Sequence, residues 1–146
     1  MSTSAPGPPG RTSAVRIMII DDHEISRAAF RALLRAEGID VIADFEANAH
    51  ALTAARALNP EVVIVDVTPL TDTGFSIAGA LSGLPAPPVV ILTSSADGVQ
   101  FGAELDSYRF IAKADITATV IIDLAHTRER AVPNPDTPAQ RPRPRK

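Results

Sequence analysis

Apolar side chains follow two rhythms along this chain, one of short continuous runs and one of helical spacing. Val15–Ile20 is nearly all apolar and β-branched, the pattern of a strand buried on both faces. From Glu24 to Glu37 the apolar residues Ile25, Ala28, Ala29, Ala32, Leu33 and Ala36 recur at helical spacing, and Gly38 stops the helix. Asp40–Phe45 predicts a second strand, and Ala47–Leu58 a helix halted by Asn59 and Pro60. Glu61–Val65 is another buried strand, followed by a loop over Val67–Thr73 and a helix from Gly74 to Leu81. Pro85–Pro88 breaks the chain before a fourth strand, Val89–Leu92; Arg109–Ala112 predicts a fifth and Ile116–Thr127 a last helix.

Strand and helix alternate five times, which predicts an α/β fold with a parallel sheet covered by helices on both faces. Right-handed crossovers leave few topologies. The expected one is a flavodoxin-like, doubly wound, five-stranded parallel sheet of order 2-1-3-4-5. Its ligand crevice lies at the carboxyl ends of the first and third strands. The least regular stretch is Ala96–Ser107, where Val99, Phe101, Ala103 and Leu105 recur near every second position. Gly98 and Gly102 each cost a helix about 1 kcal/mol relative to Ala, so the fourth helix is expected to be short or irregular.

Composition narrows the setting. A length of 146 residues allows one domain, and with 45% hydrophobic residues there is enough apolar side chain for a single core. No Cys means no disulfide framework and no thiolate zinc site. His23, His50 and His126 are scattered without metal-ligand spacing, and no apolar run has membrane-spanning length. Met1–Thr12 lacks the apolar stretch of a signal peptide, so a cytoplasmic location is expected. The net charge of −3 hides a division: seven basic and fifteen acidic side chains between Val15 and His126, six basic and two acidic from Thr127 to Lys146. Pro-rich ends bury little, so residues 1–14 and 132–146 are expected to be disordered around an ordered domain over 15–131. The run Arg141–Lys146 reads as a solvated tail rather than a nucleic-acid site.

The chemistry stands at the carboxyl strand ends: Asp21 and Asp22, then Asp66, Thr93 and Lys113. Three carboxylates in one crevice repel one another, and a hard divalent cation such as Mg²⁺ resolves the repulsion. Lys113 adds an ammonium in a chain that uses Arg at twelve of its 14 basic positions. Carboxylate, cation, ammonium and hydroxyl together suit phosphoryl transfer. A bland alternative exists for each residue: Asp22 as a helix cap, Lys113 as a solvated strand-end lysine, Thr93 as a turn residue, and Phe110 as core.

These residues in this order resemble the CheY-like receiver domains of bacterial two-component response regulators. The motifs are Val15–His23, Val62–Asp66, Val89–Thr93 and Phe110–Lys113, and the resemblance runs from Val15 to about Thr127. It implies that Asp66 accepts a phosphoryl group from a sensor histidine kinase or phosphotransfer protein. It further implies Mg²⁺ held by Asp22 directly, Asp21 through water, Asp66 and the Thr68 backbone carbonyl. Lys113 would pair with the phosphoryl oxygens, Thr93 would swing in to bond one, and Phe110 would follow as the switch aromatic. His23 is expected on the rim without a catalytic role.

Three places depart from the family pattern. Pro69 comes at the third position after Asp66 rather than the fourth, the span from Thr93 to Lys113 is short, and Asp106–Arg109 replaces a small-residue turn. The leading expectation is a stand-alone phosphoacceptor that signals through a downstream protein and is not an enzyme beyond autophosphatase activity. A weak homodimer is compatible with it. Too few residues follow Thr127 for a helix-turn-helix, so direct DNA binding is not expected. The alternative is a pseudo-receiver, a protein-interaction module that needs no phosphorylation. A Mg²⁺-dependent phosphatase ranks last, because Asp21–Glu24 lacks two aspartates with one residue between them.

Overall fold

The computed structural model describes residues 15–68, 71–95 and 108–131, with side chains as far as position 126. The five strands are β1 (Arg16–Ile20), β2 (Asp40–Phe45), β3 (Val62–Asp66), β4 (Val89–Thr93) and β5 (Arg109–Phe110). They form one sheet in the order β2-β1-β3-β4-β5, and every pairing is parallel. Among the described residues the helices are α1 (Glu24–Ala36), α2 (Ala49–Leu58), α3 (Thr73–Ser82) and α4 (Ala118–Ala131). A single 3-10 turn, Lys113–Asp115, precedes α4. The doubly wound order expected from the alternation is the order found. The expected short helix in 96–107 and the expected disorder of 1–14 and 132–146 lie outside the described residues, as does Pro69.

The strands are apolar throughout because both faces are covered. On one face Ile17, Ile19, Val62, Ile64, Val89 and Ile91 pack with Phe30 and Leu34 of α1 and Ile121 and Ala125 of α4. On the other, Met18, Ile20, Val63, Val65, Val90 and Leu92 pack with Ala51 and Ala55 of α2 and Ile77, Ala78 and Leu81 of α3. Full burial of a side chain of this size contributes about 1.5–3 kcal/mol.

Element ends differ from the sequence expectation where capping decides. α2 starts at Ala49 rather than Ala47 because Asn48 Oδ1 accepts from the N–H groups of His50 (2.9 Å) and Ala51 (3.3 Å). α4 starts at Ala118 rather than Ile116: Thr117 Oγ1 accepts from Val120 N–H at 3.2 Å and Glu37 Oε1 from Ala118 N–H at 2.9 Å. α1 ends as Gly38 predicts, with that glycine at φ +90°. The N–H groups of Gly38 and Ile39 return to the carbonyls of Arg35 and Leu34, both at 3.0 Å. β5 has only two ladder residues, yet Ile111 N–H reaches Leu92 O at 3.0 Å and Lys113 N–H reaches Ser94 O at 3.1 Å. The chain therefore follows β4 as far as Lys113.

Strand phase sets what each strand end presents. Ile17 and Ile19 face α1 and α4, and two residues on in the same phase comes Asp21. Val62 and Ile64 lead in the same way to Asp66, Val89 and Ile91 to Thr93, and Ile111 to Lys113. One pleat period thus puts four polar residues on one side of the sheet at its carboxyl end. Asp22 follows Ile20 and is out of phase with them.

Candidate functional site

Asp21 directly follows β1 and Asp66 ends β3, with side chains 2% and 7% exposed. Lys113 Nζ lies 3.1 Å from Asp21 Oδ2 and 3.1 Å from Asp66 Oδ1, and donates to Ser26 Oγ on α1 at 3.0 Å. The second oxygens of the two carboxylates face His23. Its Nδ1 is 3.1 Å from Asp21 Oδ1 and 3.8 Å from Asp66 Oδ2. Its backbone N–H donates to Asp21 Oδ1 at 2.8 Å, an Asx turn that starts α1 and holds the Asp21 side chain inward. The ring stays mostly exposed, beside an open cavity of about 670 Å³ lined by Glu24, Ile25, Ser26, Ser95 and Lys113.

The backbone around Asp21 is clamped. Its N–H donates to Phe45 O at 2.9 Å, and its carbonyl accepts from Arg27 Nη1 at 2.6 Å. Arg27 Nε in turn pairs with Asp44 Oδ1 at 2.9 Å, and Arg31 Nη1 takes the other oxygen of Asp44 at 2.6 Å. After Asp66, Val67 N–H is bonded to Thr93 O at 2.8 Å. Gly74, at the start of α3, lies so close that a Cβ there would sit 2.8 Å from the Asp66 carbonyl and 2.6 Å from Val67 Cγ1. Only glycine fits that approach.

The remaining site candidates divide. Thr93 is Asp66's ladder partner, is 1% exposed, and its Oγ1 has no hydrogen-bond partner among the described residues. Asp22 is exposed, and its Oδ1 accepts from Ala47 N–H at 2.7 Å in the loop before α2, away from the Asp21–Asp66 pair. Thr68 is half-buried two residues beyond Asp66. Phe110 packs on the α2/α3 side of the sheet, so Thr93 and Phe110 stand on opposite faces. Ser26 and Arg27 escaped the sequence reading. Their signal is positional, since both lie in the first turn of the helix that begins at the acidic strand end.

Electrostatics follow from burial. Burial raises the Asp21 carboxyl, but the His23 N–H and the Lys113 ammonium more than offset it, so its pKa lies below the ordinary value. Burial and the neighbouring Asp21 charge both raise Asp66, and Lys113 only partly counters them, so its pKa lies above the ordinary carboxylate value. Burial lowers Lys113, but Asp66 and Asp21 outweigh it, and the ammonium is held more firmly than in water. Two buried carboxylates share one ammonium, and Asp66 is the member left short of positive charge.

Comparison with known proteins decides the lineage. The family model of the response regulator receiver domain matches residues 17–123. The chain belongs to the response regulator receiver domain family. The solved receiver domain of the response regulator NarL from Mycobacterium tuberculosis has 28% sequence identity and a TM-score of 0.64, covering 78% of this chain and 98% of that one. A CheY-like receiver domain from Methylobacillus flagellatus shares the fold at 22% identity and a TM-score of 0.62, over 79% of this chain and 98% of that one. The DNA-binding response regulator MtrA of Mycobacterium tuberculosis is 31% identical over 133 residues, 88% of this chain and 56% of that protein. The sensory transduction protein LytT of Bacillus cereus is 26% identical over 101 residues, 68% of this chain and 41% of that protein. This receiver domain therefore spans about half the length of these two relatives. Among the described residues no helix is long and apolar enough to cross a membrane.

Proposed function

We propose that the receiver domain takes a phosphoryl group on Asp66 from a phosphohistidine of a sensor kinase or phosphotransfer protein, and signals through protein contacts. The observation that carries this reading is Asp66 itself, a buried carboxylate at a strand end between Lys113 and the unpartnered hydroxyl of Thr93. Asp66 is the nucleophile: a carboxylate oxygen bonds to phosphorus as the N–P bond breaks, and the departing imidazole keeps the electron pair and takes up a proton. Lys113 stays with the phosphoryl oxygens, and Thr93 donates to one of them, which satisfies its Oγ1. Phe110 is proposed as the aromatic that responds on the far face.

The residues present fit a divalent cation. Asp21 and Asp66 carry two buried charges against one ammonium, and a cation beside them removes that imbalance. Bound Mg²⁺ supplies charge neutralisation for the phosphoryl oxygens. Asp21 and Asp66 would hold it, with the Thr68 carbonyl as a proposed further donor; Asp22, whose Oδ1 accepts from Ala47 N–H, would join through its other oxygen.

Intact mass after incubation with acetyl phosphate and Mg²⁺ tests the reading. One added phosphoryl group is expected, absent in Asp66→Asn and absent without Mg²⁺. An adduct that persists in Asp66→Asn overturns the assignment. No adduct at all, under any donor, leaves a phosphorylation-independent interaction module.

A further inference from the structure

Lys113 reaches the site from a distance. It follows β5, which β4 separates from β3, and which β4 and β3 together separate from β1. The lysine stem must therefore cross the end of β4 to bring its ammonium to Asp66 and Asp21. The root of the stem is fixed, with Lys113 N–H on Ser94 O at 3.1 Å and Ile111 N–H on Leu92 O at 3.0 Å. Between root and ammonium lies a flexible chain of methylenes carrying a compact, strongly hydrated charge. Attraction to two carboxylates does not by itself fix such a group. It is weakly directional, and a side chain 22% exposed can trade one carboxylate for the other, or for water, by a change of rotamer.

A third contact supplies the missing direction. Nζ carries three N–H donors, and among the described residues it meets three acceptors: Asp21 Oδ2 at 3.1 Å, Asp66 Oδ1 at 3.1 Å and Ser26 Oγ at 3.0 Å. Ser26 comes from a different element, the first turn of α1. That turn starts where His23 N–H closes on Asp21 Oδ1 at 2.8 Å, and Arg27 N–H continues it on His23 O at 2.8 Å. The helix start that holds the Asp21 carboxylate inward thus also sets the Ser26 hydroxyl. Being uncharged, the hydroxyl orients the ammonium without competing for its charge.

We propose that Ser26 is a positioning residue for Lys113: it anchors the third N–H, so that the ammonium stands ready beside Asp66 before a phosphoryl group arrives. The inference rests on the reading that Asp66 is the phosphoacceptor. As charge moves outward from Asp66 onto the phosphoryl oxygens, an ammonium already oriented needs little reorganisation, which is how preorganised charge speeds a reaction. A loose ammonium must first be collected from water or from Asp21. The signature therefore lies in the rate at saturating phosphodonor, and not in the donor concentration that half-saturates it.

Ser26→Ala and Ser26→Thr in the full chain test this with two readouts. Ser26 lines the open cavity beside the site, which leaves room for the extra methyl of threonine. The first readout needs no phosphodonor. Lys113 and Lys146 are the only lysines in the sequence, so ammonium ¹H–¹⁵N spectra hold two side-chain signals, which Lys113→Arg assigns. The Lys113 signal should exchange slowly in the wild type, broaden in Ser26→Ala and return in Ser26→Thr, which keeps the hydroxyl. The second readout is phosphorylation by acetyl phosphate with Mg²⁺. Ser26→Ala should lower the saturating rate about three- to tenfold with the half-saturating concentration within about twofold, and Ser26→Thr should recover most of the rate. An unchanged Lys113 signal or an unchanged rate in Ser26→Ala overturns the inference, as does a loss that Ser26→Thr does not recover; each leaves the Asp66 assignment standing. A wild type that takes no phosphoryl group overturns the phosphoacceptor reading and, with it, the role of Ser26, even where the spectra behave as expected.

Discussion

At the amino-terminal end of the sheet, Arg16 reaches the carbonyls of Asn59 and Leu58 at 2.9 Å each, and its N–H donates to Glu61 Oε1 at 2.8 Å. Glu61 N–H returns to Arg16 O, and Val89 N–H to Glu61 O, both at 2.9 Å. Water reaches these groups, each has a partner of opposite character, and none is crowded by its own sign. At the carboxyl end of the same strands, Asp21 and Asp66 are buried side by side on one shared ammonium, and Thr93 keeps a hydroxyl with no partner among the described residues. One end is polar and settled. The other holds charge and hydrogen-bonding capacity left unmatched, and under the proposed function that is where a cation or phosphoryl group would gain its binding free energy.

The sharpest way to break that contrast is Lys113→Ala. It leaves two buried carboxylates unpaired and should cost about 1–3 kcal/mol in urea unfolding. Mg²⁺ should restore more stability to this variant than to the wild type, because the cation replaces the missing ammonium. An identical Mg²⁺ effect in both would show that Lys113 and the cation do not share the same charges.

Asp66→Asn should act in the opposite direction, stabilising the fold by on the order of 1 kcal/mol at neutral pH through removal of a buried charge. The pH dependence has a definite sign. Because burial raises the Asp66 pKa, the folded state binds that proton more tightly, and stability falls as pH rises from the ordinary carboxylate range through the folded pKa. The advantage of Asp66→Asn should grow over that window and vanish below it. Asp21 behaves inversely: its lowered pKa contributes stability above the ordinary range, lost as pH falls through the folded pKa. A melting series across acid pH separates the two.

Thr93→Val removes the unpartnered hydroxyl at nearly constant shape and should raise stability by about 1 kcal/mol, measured by thermal melting. It should also abolish any amide shift at Phe110 on adding a beryllofluoride phosphoryl mimic. The smallest effect belongs to the settled end. Arg16→Ala should cost about 1 kcal/mol or less, with Mg²⁺ affinity unchanged by calorimetry.

Strand order and the strand-end residues were legible because each apolar run stops abruptly at a polar residue, as at Ile20–Asp21, Val65–Asp66 and Leu92–Thr93. Which aspartate of the pair turns inward was not. A strand buried on both faces is apolar at every position, so its pattern carries no phase, and only packing shows that Asp21 shares the side of Ile17 and Ile19. His23 reads as a rim residue, and its ring is mostly exposed; its contact with Asp21 Oδ1 depends on the turn that starts α1. Capping by Asn48 and Thr117 moved two helix starts that apolar spacing alone put two residues early. Arg27 reads as an ordinary polar helix position, and its bond to the Asp21 carbonyl depends on where Asp44 of the neighbouring strand lies.

The shared pleat phase of Asp21, Asp66, Thr93 and Lys113 has an evolutionary corollary. A lineage can lengthen or shorten the turns at the amino ends of these strands freely, since no member of the crevice lies there. Losing one residue inside β3 is another matter, because it would carry Asp66 across the sheet toward α3 and bring Val67 into its place at the crevice. Length variation among descendants of this chain should therefore gather at one pole of the molecule and be nearly absent from the last residues of β1, β3 and β4.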